Sequence, residues 1–264
     1  MVVMRIGVPL AGGALIKAAR DLDAPVLISA NAFRRDGKWR RFPEQLAGMS
    51  VALDSAGFVA MTRYNGYPWS RSEYLDLVEQ GKWDWYATRD FCCEPQIAKY
   101  RADVAERIKA TADEFHALAN EANSRGLDSP MPVLQGWYPD EYQRCADLYG
   151  LHRWPDLVGI GSVCRRHMNG PEGVLRIVAA LDKIMPQNVR FHLFGVKGTA
   201  LTALRGHARI ESADSMAWDF ACRRENHRVN QTMRAEYMRR WYRGIIADLS
   251  QPDLSMSLFN ERTT

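Results

Sequence analysis

The sequence predicts an α/β fold, a single-domain (β/α)8 barrel of the TIM type, on three observations. Short apolar runs recur along the chain, helix-length segments separate most of them, and no linker rich in Gly, Ser and Pro divides the sequence. Alternating strands and helices are typical of a parallel sheet built from βαβ units, and eight strands fit a closed barrel. The length of 264 residues also suits one barrel domain. A doubly wound open sheet is the competing fold.

Eight apolar runs are predicted as the strands. Several are almost continuously apolar, as expected for strands that are covered on both faces. The predicted strands are residues 4–8, 24–29, 50–55, 83–88, 131–136, 157–161, 189–194 and 208–212.

Six segments between or after these runs are predicted as helices. Apolar residues recur three and four positions apart in them, and one segment has Ser70 as a candidate N-cap and Gly81 as a candidate terminator. The predicted helices are residues 14–22, 70–81, 98–126, 139–150, 171–184 and 228–248. Residues 30–49 are predicted to be mainly loop. The barrel is therefore expected over residues 1–250, and an irregular tail over residues 251–264.

The composition is that of an ordinary globular domain. Apolar residues make up 47% and charged residues 25% of the chain, which excludes a disordered protein. Five cysteines are too few for a disulfide scaffold, and the adjacent Cys92 and Cys93 are expected to be buried and reduced. No apolar run approaches the ~20 residues of a membrane span, and the start does not resemble a signal peptide. We therefore expect a cytoplasmic protein without a membrane partner.

Polar side chains follow several predicted strands at the point where each strand ends. In a barrel of parallel strands these ends meet at one face, which is where active sites lie. Three carboxylates, Asp54, Asp90 and Asp214, are expected there. An Asp at a strand end is often only a turn former or a helix N-cap, so the joint occurrence carries the prediction. The other residues expected at this face are Ser55, Gln135, Gly136, Gly161, Ser162, Phe194 and Gly195.

Six short motifs resemble those of the tRNA-guanine transglycosylases. They occur in the family's order over residues 5–220 and so cover most of the chain. The motifs are SANAF (29–33), LDSAGF (53–58), VLQGW (133–137), VGIGS (158–162), HLFGVKG (192–198) and ESADS (211–215).

The resemblance implies a role for each matching residue. Asp214 would be the nucleophile, and Asp54 the general acid/base that protonates the departing guanine and deprotonates the incoming base. Asp90 would accept from the guanine N1–H and amino group, with Glu94 as the alternative. The base's remaining polar atoms would be read by Gln135 and by the backbone at Gly136, Gly161 and Ser162. Ser55 would help to seat the base, Phe194 would line the pocket or stack on the base, and Gly195 would keep the wall thin. Phe194 has barrel packing as its competing interpretation, and His192 is expected to be a core histidine.

The departures from the family pattern refine the prediction. Only Cys222 and His227 follow Asp214, too few for the family's four-ligand zinc subdomain, so no metal and no cofactor are expected. The chain also has no room for the RNA-binding domains of the archaeal tRNA enzymes. It resembles more closely the phage and bacterial branch that inserts 7-deazaguanine bases of the preQ0 type into DNA. That branch would take DNA and a free 7-deazaguanine base as substrates, in a bacterial cell or a phage-infected host.

Basic residues predict contacts to nucleic acid. One cluster surrounds Trp39 in the loop after the second strand, and a second follows the sixth strand. Arg and Lys there would bind phosphates, and Trp39 would stack on an unstacked base. These residues are Arg34, Arg35, Lys38, Trp39, Arg40 and Arg41 in the first cluster and Arg165 and Arg166 in the second.

Three other functions remain open at this point. One is a tRNA-guanine transglycosylase. Another is a catalytically silent subunit that only binds nucleic acid or an active homologue, although the presence of both Asp54 and Asp214 speaks against it. The third is a barrel enzyme for a small metabolite. The sequence leaves open the incoming base, the sequence context and the oligomeric state, a homodimer included.

Overall fold

The computed structural model describes residues 2–164 and 166–251. The strands are β1 (Val3–Val8), β2 (Val26–Ser29), β3 (Arg34–Arg35), β4 (Lys38–Trp39), β5 (Val51–Asp54), β6 (Val133–Leu134), β7 (Leu157–Ile160), β8 (Arg190–Leu193) and β9 (Ile210–Ser215). Seven of them form one curled parallel sheet, a half-barrel, in the order β5-β2-β1-β9-β8-β7-β6. Residues 252–264 of the predicted tail lie outside the described residues.

The prediction of a strand at residues 83–88 is wrong. Its residues form only two isolated parallel bridges, Leu53 with Tyr86 and Ala87 with Met131. Backbone hydrogen bonds support both bridges, from Ala87 N–H to Leu53 O at 2.9 Å and from Thr88 N–H to Met131 O at 3.0 Å. The segment therefore lies between β5 and the residues that lead into β6, without the continuous ladder of a strand.

Helices cover the sheet. They are α1 (Ala14–Asp21), α2 (Gly57–Tyr64), α3 (Arg71–Gln80), α4 (Arg101–Ser124), α5 (Pro139–Tyr149), α6 (Val174–Ile184), α7 (Gly198–Leu204), α8 (Ala217–Glu225) and α9 (Gln231–Ser250). The six predicted helices are confirmed with shifted ends, whereas α2, α7 and α8 were not predicted. Ser70 caps α3 as expected, because its hydroxyl accepts from Glu73 N–H and the Glu73 carboxylate accepts from Ser70 N–H.

The segment predicted as loop contains a hairpin. β3 and β4 pair antiparallel, Arg34 with Trp39 and Arg35 with Lys38. Asp36 and Gly37 form the two-residue turn, both with positive φ, as an Asp-Gly turn between paired strands requires.

The core lies between the sheet and the helices. One apolar cluster packs α4, α5 and α6 on the half of the sheet around β7 and β8, and a second packs α1, α3 and α9 on the half around β1, β2 and β5. The central strands are buried almost throughout, which explains their continuous apolar sequences. Within the described part of the chain, no helix is both long and apolar enough to cross a membrane.

Candidate active site at the carboxyl edge of the sheet

Asp54 ends β5 and is largely withdrawn from water. Ser29, which ends the neighbouring β2 and pairs with Asp54 in register, donates its hydroxyl to Asp54 Oδ2 at 2.5 Å. Burial, followed by the negative charges of Asp90 and Asp214, raises the pKa of Asp54 to about 7, against the opposing effect of the hydrogen bond from Ser29. A carboxyl group with this pKa is able to hold and release a proton near neutrality.

Asp90 lies next to Asp54 and is held by hydrogen bonds. The Ser55 hydroxyl donates to Asp90 Oδ1 at 2.8 Å, and the Gln135 amide donates to Oδ2. Burial raises the pKa of Asp90 to about 6, against the opposing effect of the Ser55 hydrogen bond. The α2 helix begins tightly against this carboxylate, because a Cβ on Gly57 would lie 2.6 Å from Asp90 Oδ1. Only glycine fits at this position.

Gln135 and Ser162 form the wall beside Asp90. The Ser162 hydroxyl lies 2.6 Å from Gln135 Oε1 and 3.1 Å from Glu94 Oε2, so its single proton serves one of the two. It also accepts from Cys93 N–H at 2.7 Å. A Cβ on Gly161 would lie 2.2 Å from Gln135 Nε2, so the missing side chain lets Gln135 approach. Asp90 and Glu94 are the two carboxylates that the sequence left as alternatives for binding the guanine edge. Asp90 lies next to Asp54, whereas Glu94 lies next to Ser162.

Asp214 lies within β9, two residues beyond the predicted end of that strand. Gly195 N–H donates to Asp214 Oδ1 at 2.8 Å. His192 on β8 is fully buried, with Nδ1 2.8 Å from Ser212 Oγ and Nε2 3.5 Å from Asp214 Oδ1. Burial lowers the pKa of His192, so the ring is neutral near pH 7 and is not a permanent counter-ion for the Asp214 carboxylate.

Phe194 and Gly136 have packing roles in this arrangement. The Phe194 ring packs edge-on against His192 and Trp85, with ring centres 4.6 and 6.1 Å apart. A Cβ on Gly136 would lie 2.9 Å from the backbone nitrogen of Tyr142, so Gly136 allows α5 to pack against the end of β6. Both residues lie at the expected edge, and both shape the wall of the site.

The basic hairpin, residues 34–41, projects beyond β2. Arg35, Lys38, Arg40 and Arg41 are exposed, whereas Arg34 turns inward and stacks on Trp39 and Trp69, at 5.1 and 5.4 Å from their ring centres. Trp39 is half-buried between its neighbours. The hairpin therefore presents four cations to solvent, and Arg34 stabilises its base.

Arg166 does not lie where a phosphate contact was expected. It is only 4% exposed, and its guanidinium donates to the carbonyl oxygens of Ser162, Trp137, Glu172 and Gly136. The Trp137 ring also covers it at 3.7 Å. Because these carbonyls take up its donors, Arg166 holds together the loops that carry the site. Arg165 lies outside the described residues.

Two residues of the site were not singled out by sequence reasoning. Ser29 lies in the SANAF motif, and its pairing with Asp54 follows from the parallel register of β2 and β5. Tyr67 comes from the loop after α2, and its hydroxyl lies 2.9 Å from both Ser55 Oγ and the Asp90 carbonyl oxygen. Nothing in the sequence marks Tyr67, because only the folded loop brings it to Asp90. Across residues 2–164 and 166–251, no group of three or more His, Cys, Asp or Glu side chains has a geometry that could hold a metal ion.

Comparison with known protein families gives a match over most of the chain. A family model described as DpdA, DeoxyPurine in DNA protein A, matches residues 19–249, which include the three carboxylates and the basic hairpin. No curated protein matches the chain.

Proposed function

Since the chain belongs to the DpdA family, DeoxyPurine in DNA protein A, we propose that it is a transglycosylase that replaces guanine in DNA with a 7-deazaguanine base of the preQ0 type. The family supports a role in deazapurine modification of DNA. The finer assignment, exchange through a covalent Asp214–sugar intermediate, is our inference from the site. The resemblance of the motifs to the tRNA-guanine transglycosylases supports it as well.

The observation that carries this proposal is the different environment of two neighbouring carboxylates. Asp54 is shielded from water, and its pKa of about 7 lets it carry a proton in neutral solution. Asp214 accepts a hydrogen bond from the Gly195 backbone N–H at 2.8 Å, which orients its carboxylate. A pair of carboxyl groups, one able to donate a proton and one able to attack as an anion, is what a double displacement at a glycosidic carbon requires.

The reaction balances with these two residues. An Asp214 carboxylate oxygen bonds to C1′ of the target nucleotide as the C1′–N9 bond breaks, and Asp54 supplies the proton that the departing guanine takes up. The incoming 7-deazaguanine then loses its N9 proton to Asp54, and its N9 bonds to C1′ as the bond to Asp214 breaks. Two displacements on C1′ leave the configuration retained, and Asp54 ends in its starting state.

Asp90 would select the base. Its carboxylate offers only acceptors, and the N1–H and amino group of guanine offer two donors on one edge. Gln135 and Ser55 hold this carboxylate in place from the protein side. A 7-deazaguanine keeps that same edge, so one pocket would accept both the departing and the incoming base.

DNA is the proposed macromolecular substrate. The target nucleotide must leave the helical stack before C1′ reaches Asp214, so the enzyme would flip the base or act on single strands. The exposed cations of the basic hairpin lie beyond β2, next to β5 with Asp54, where they would bind the backbone phosphates.

We also propose that the fold of this single domain is a closed (β/α)8 barrel that functions without the zinc subdomain of the tRNA enzymes. Residues 83–88 would occupy the fourth strand position between β5 and β6. The two parallel bridges of Tyr86 and Ala87 support this closure.

The direct test follows radiolabelled guanine and a 7-deazaguanine base into DNA and tRNA side by side. We expect exchange with DNA, and a denaturant-resistant protein–DNA adduct that disappears in Asp214→Ala. The matched control is Asp147→Asn, which changes an exposed carboxylate on α5. Exchange with tRNA alone would refute DNA as the substrate. An adduct that persists in Asp214→Ala would refute the nucleophile.

A further inference from the structure

A groove at the start of α3 lies directly beside the candidate active site. Tyr67, Trp69, Arg71 and Arg89 line it together with the first residues of α3. Tyr67 connects it to the carboxylates, because its hydroxyl hydrogen-bonds to Ser55 and to the Asp90 carbonyl oxygen at 2.9 Å. We call it the α3 groove.

Two buried side chains of the α3 groove carry donors that the protein does not use. Trp69 is 3% exposed, and its indole N–H has no hydrogen-bond partner among the described residues. Arg89 is 8% exposed, and its Nε–H also lacks an acceptor there. A buried donor without an acceptor costs free energy, which a bound acceptor would recover.

The charges around the α3 groove favour an anion. Three guanidinium groups face two carboxylates here, which leaves an excess of positive charge: Arg34, Arg71 and Arg89 against Glu73 and Glu114. Arg71 uses Nε and Nη2 on Glu114, yet its side chain remains 46% exposed.

The helix itself adds further donors. The capping box of α3 uses the N–H groups of Ser70 and Glu73, so the amides of Arg71 and Ser72 in the first turn have no acceptor within the helix. These amides point beyond the helix end and carry its positive partial charge. Indole, guanidinium and amide donors together match a tetrahedral anion whose oxygens all accept hydrogen bonds.

We propose that the α3 groove is a phosphate-binding site, and that it holds one backbone phosphodiester of the DNA strand beside the extruded nucleotide. The identification of the bound phosphate as part of a DNA strand rests on the proposed function, whereas the expected affinity for phosphate does not. A phosphate held here would fix the strand close to Asp90, because Tyr67 connects the groove to Ser55 and to the Asp90 carbonyl oxygen.

The first experiment measures binding of inorganic phosphate by calorimetry. The variants are Arg71→Gln and Trp69→Phe, which keeps an aromatic ring but removes the N–H. The control is Arg153→Gln, an exposed arginine in the loop before β7, on the other half of the sheet from β5. We expect about tenfold weaker binding in Arg71→Gln, a smaller loss in Trp69→Phe and no change in Arg153→Gln. Equal affinity in all four proteins would overturn the site. Thermal unfolding of each variant shows that the loss does not come from unfolding.

The second experiment identifies the strand. Single-stranded oligonucleotides with one target guanine carry a neutral methylphosphonate at one position at a time. At one position the methylphosphonate should weaken binding of the oligonucleotide to the wild type but not to Arg71→Gln. At the other positions it should have the same effect on both proteins. If both proteins show the same profile while inorganic phosphate still depends on Arg71, the groove takes a free phosphate and the assignment to the strand is wrong. If both binding experiments give the expected results but the protein does not exchange bases, the proposed function is wrong and the phosphate site stands.

Discussion

Asp54 should make the folded protein less stable at neutral and alkaline pH than an uncharged residue would. In an unfolded chain its pKa is 3.8, and burial next to Asp90 and Asp214 raises it to about 7. Between these values the folded state binds a proton that the unfolded state has lost, so stability falls as pH rises from 3.8 and the loss is complete above about 7. Asp54→Asn removes this titration and keeps the shape of the side chain.

The size of the effect follows from the rise in pKa. A rise from 3.8 to about 7 corresponds to at most about 4 kcal/mol. The side chain keeps some contact with water, so we expect Asp54→Asn to gain about 1–2 kcal/mol above pH 7. That gain should raise the unfolding temperature by about 3–6 °C for a chain of this length. At about pH 4.5 the stability gain of Asp54→Asn should be roughly a quarter of its value above pH 7.

The assay is thermal unfolding of the wild type and Asp54→Asn across this pH range, followed by circular dichroism. Asp147→Asn on α5 is the control, because that carboxylate is exposed, and it should show no advantage that grows with pH. An advantage of Asp54→Asn that stays constant with pH, or a loss of stability at alkaline pH, would refute the argument that Asp54 is protonated through its surroundings.

Three further predictions test the site and its surroundings. Release of labelled guanine in a single turnover without incoming base should slow as pH rises through about 7, because Asp54 must carry a proton; a flat profile would contradict its role as the acid. Changing the four exposed cations of the basic hairpin to Gln should weaken DNA binding and flatten the dependence of log K on log salt by about 3, whereas Arg34→Gln, which removes one inward-facing cation, should flatten it by about 1 at most. Arg166→Lys should lower the free energy of unfolding by about 2–4 kcal/mol, measured by urea denaturation, because a lysine cannot reach the four carbonyls that the guanidinium binds.

The strands were predictable because burial on both faces leaves a continuous apolar signal. Seven of the eight predicted runs are strands of the sheet. The exception, residues 83–88, contains three aromatic residues and pairs only through Tyr86 and Ala87, so its composition indicated a strand where the backbone makes two bridges. The hairpin at 34–39 also has a recognisable sequence feature, because an Asp-Gly pair such as Asp36-Gly37 is typical of a two-residue turn between paired strands. The prediction of a loop did not use this feature.

The direction of single side chains was not predictable in the same way. Arg34 and Arg166 read as phosphate ligands in a basic sequence, yet both turn inward. Ser162 adopts a positive φ of 50°, and its carbonyl is one of those that receive the Arg166 guanidinium. Whether an arginine in a loop meets solvent or carbonyl oxygens depends on such backbone geometry, which local sequence patterns do not encode.

The arrangement of the carboxylates explains why the surrounding residues are so small and polar. The charges of Asp90 and Asp214 both repel that of Asp54, and His192 is neutral and does not offset this repulsion. Hydroxyl, amide and backbone donors stabilise each charge without neutralising it, as Ser29, Ser55 and Gly195 N–H do. A lysine or arginine in the same place would lower the pKa of Asp54 towards its ordinary value, and the residue would lose its proton before it could serve as an acid. Burial and the charges of Asp90 and Asp214 therefore keep a proton on Asp54 near neutral pH, and the same surroundings lower the stability of the folded protein once that proton is lost.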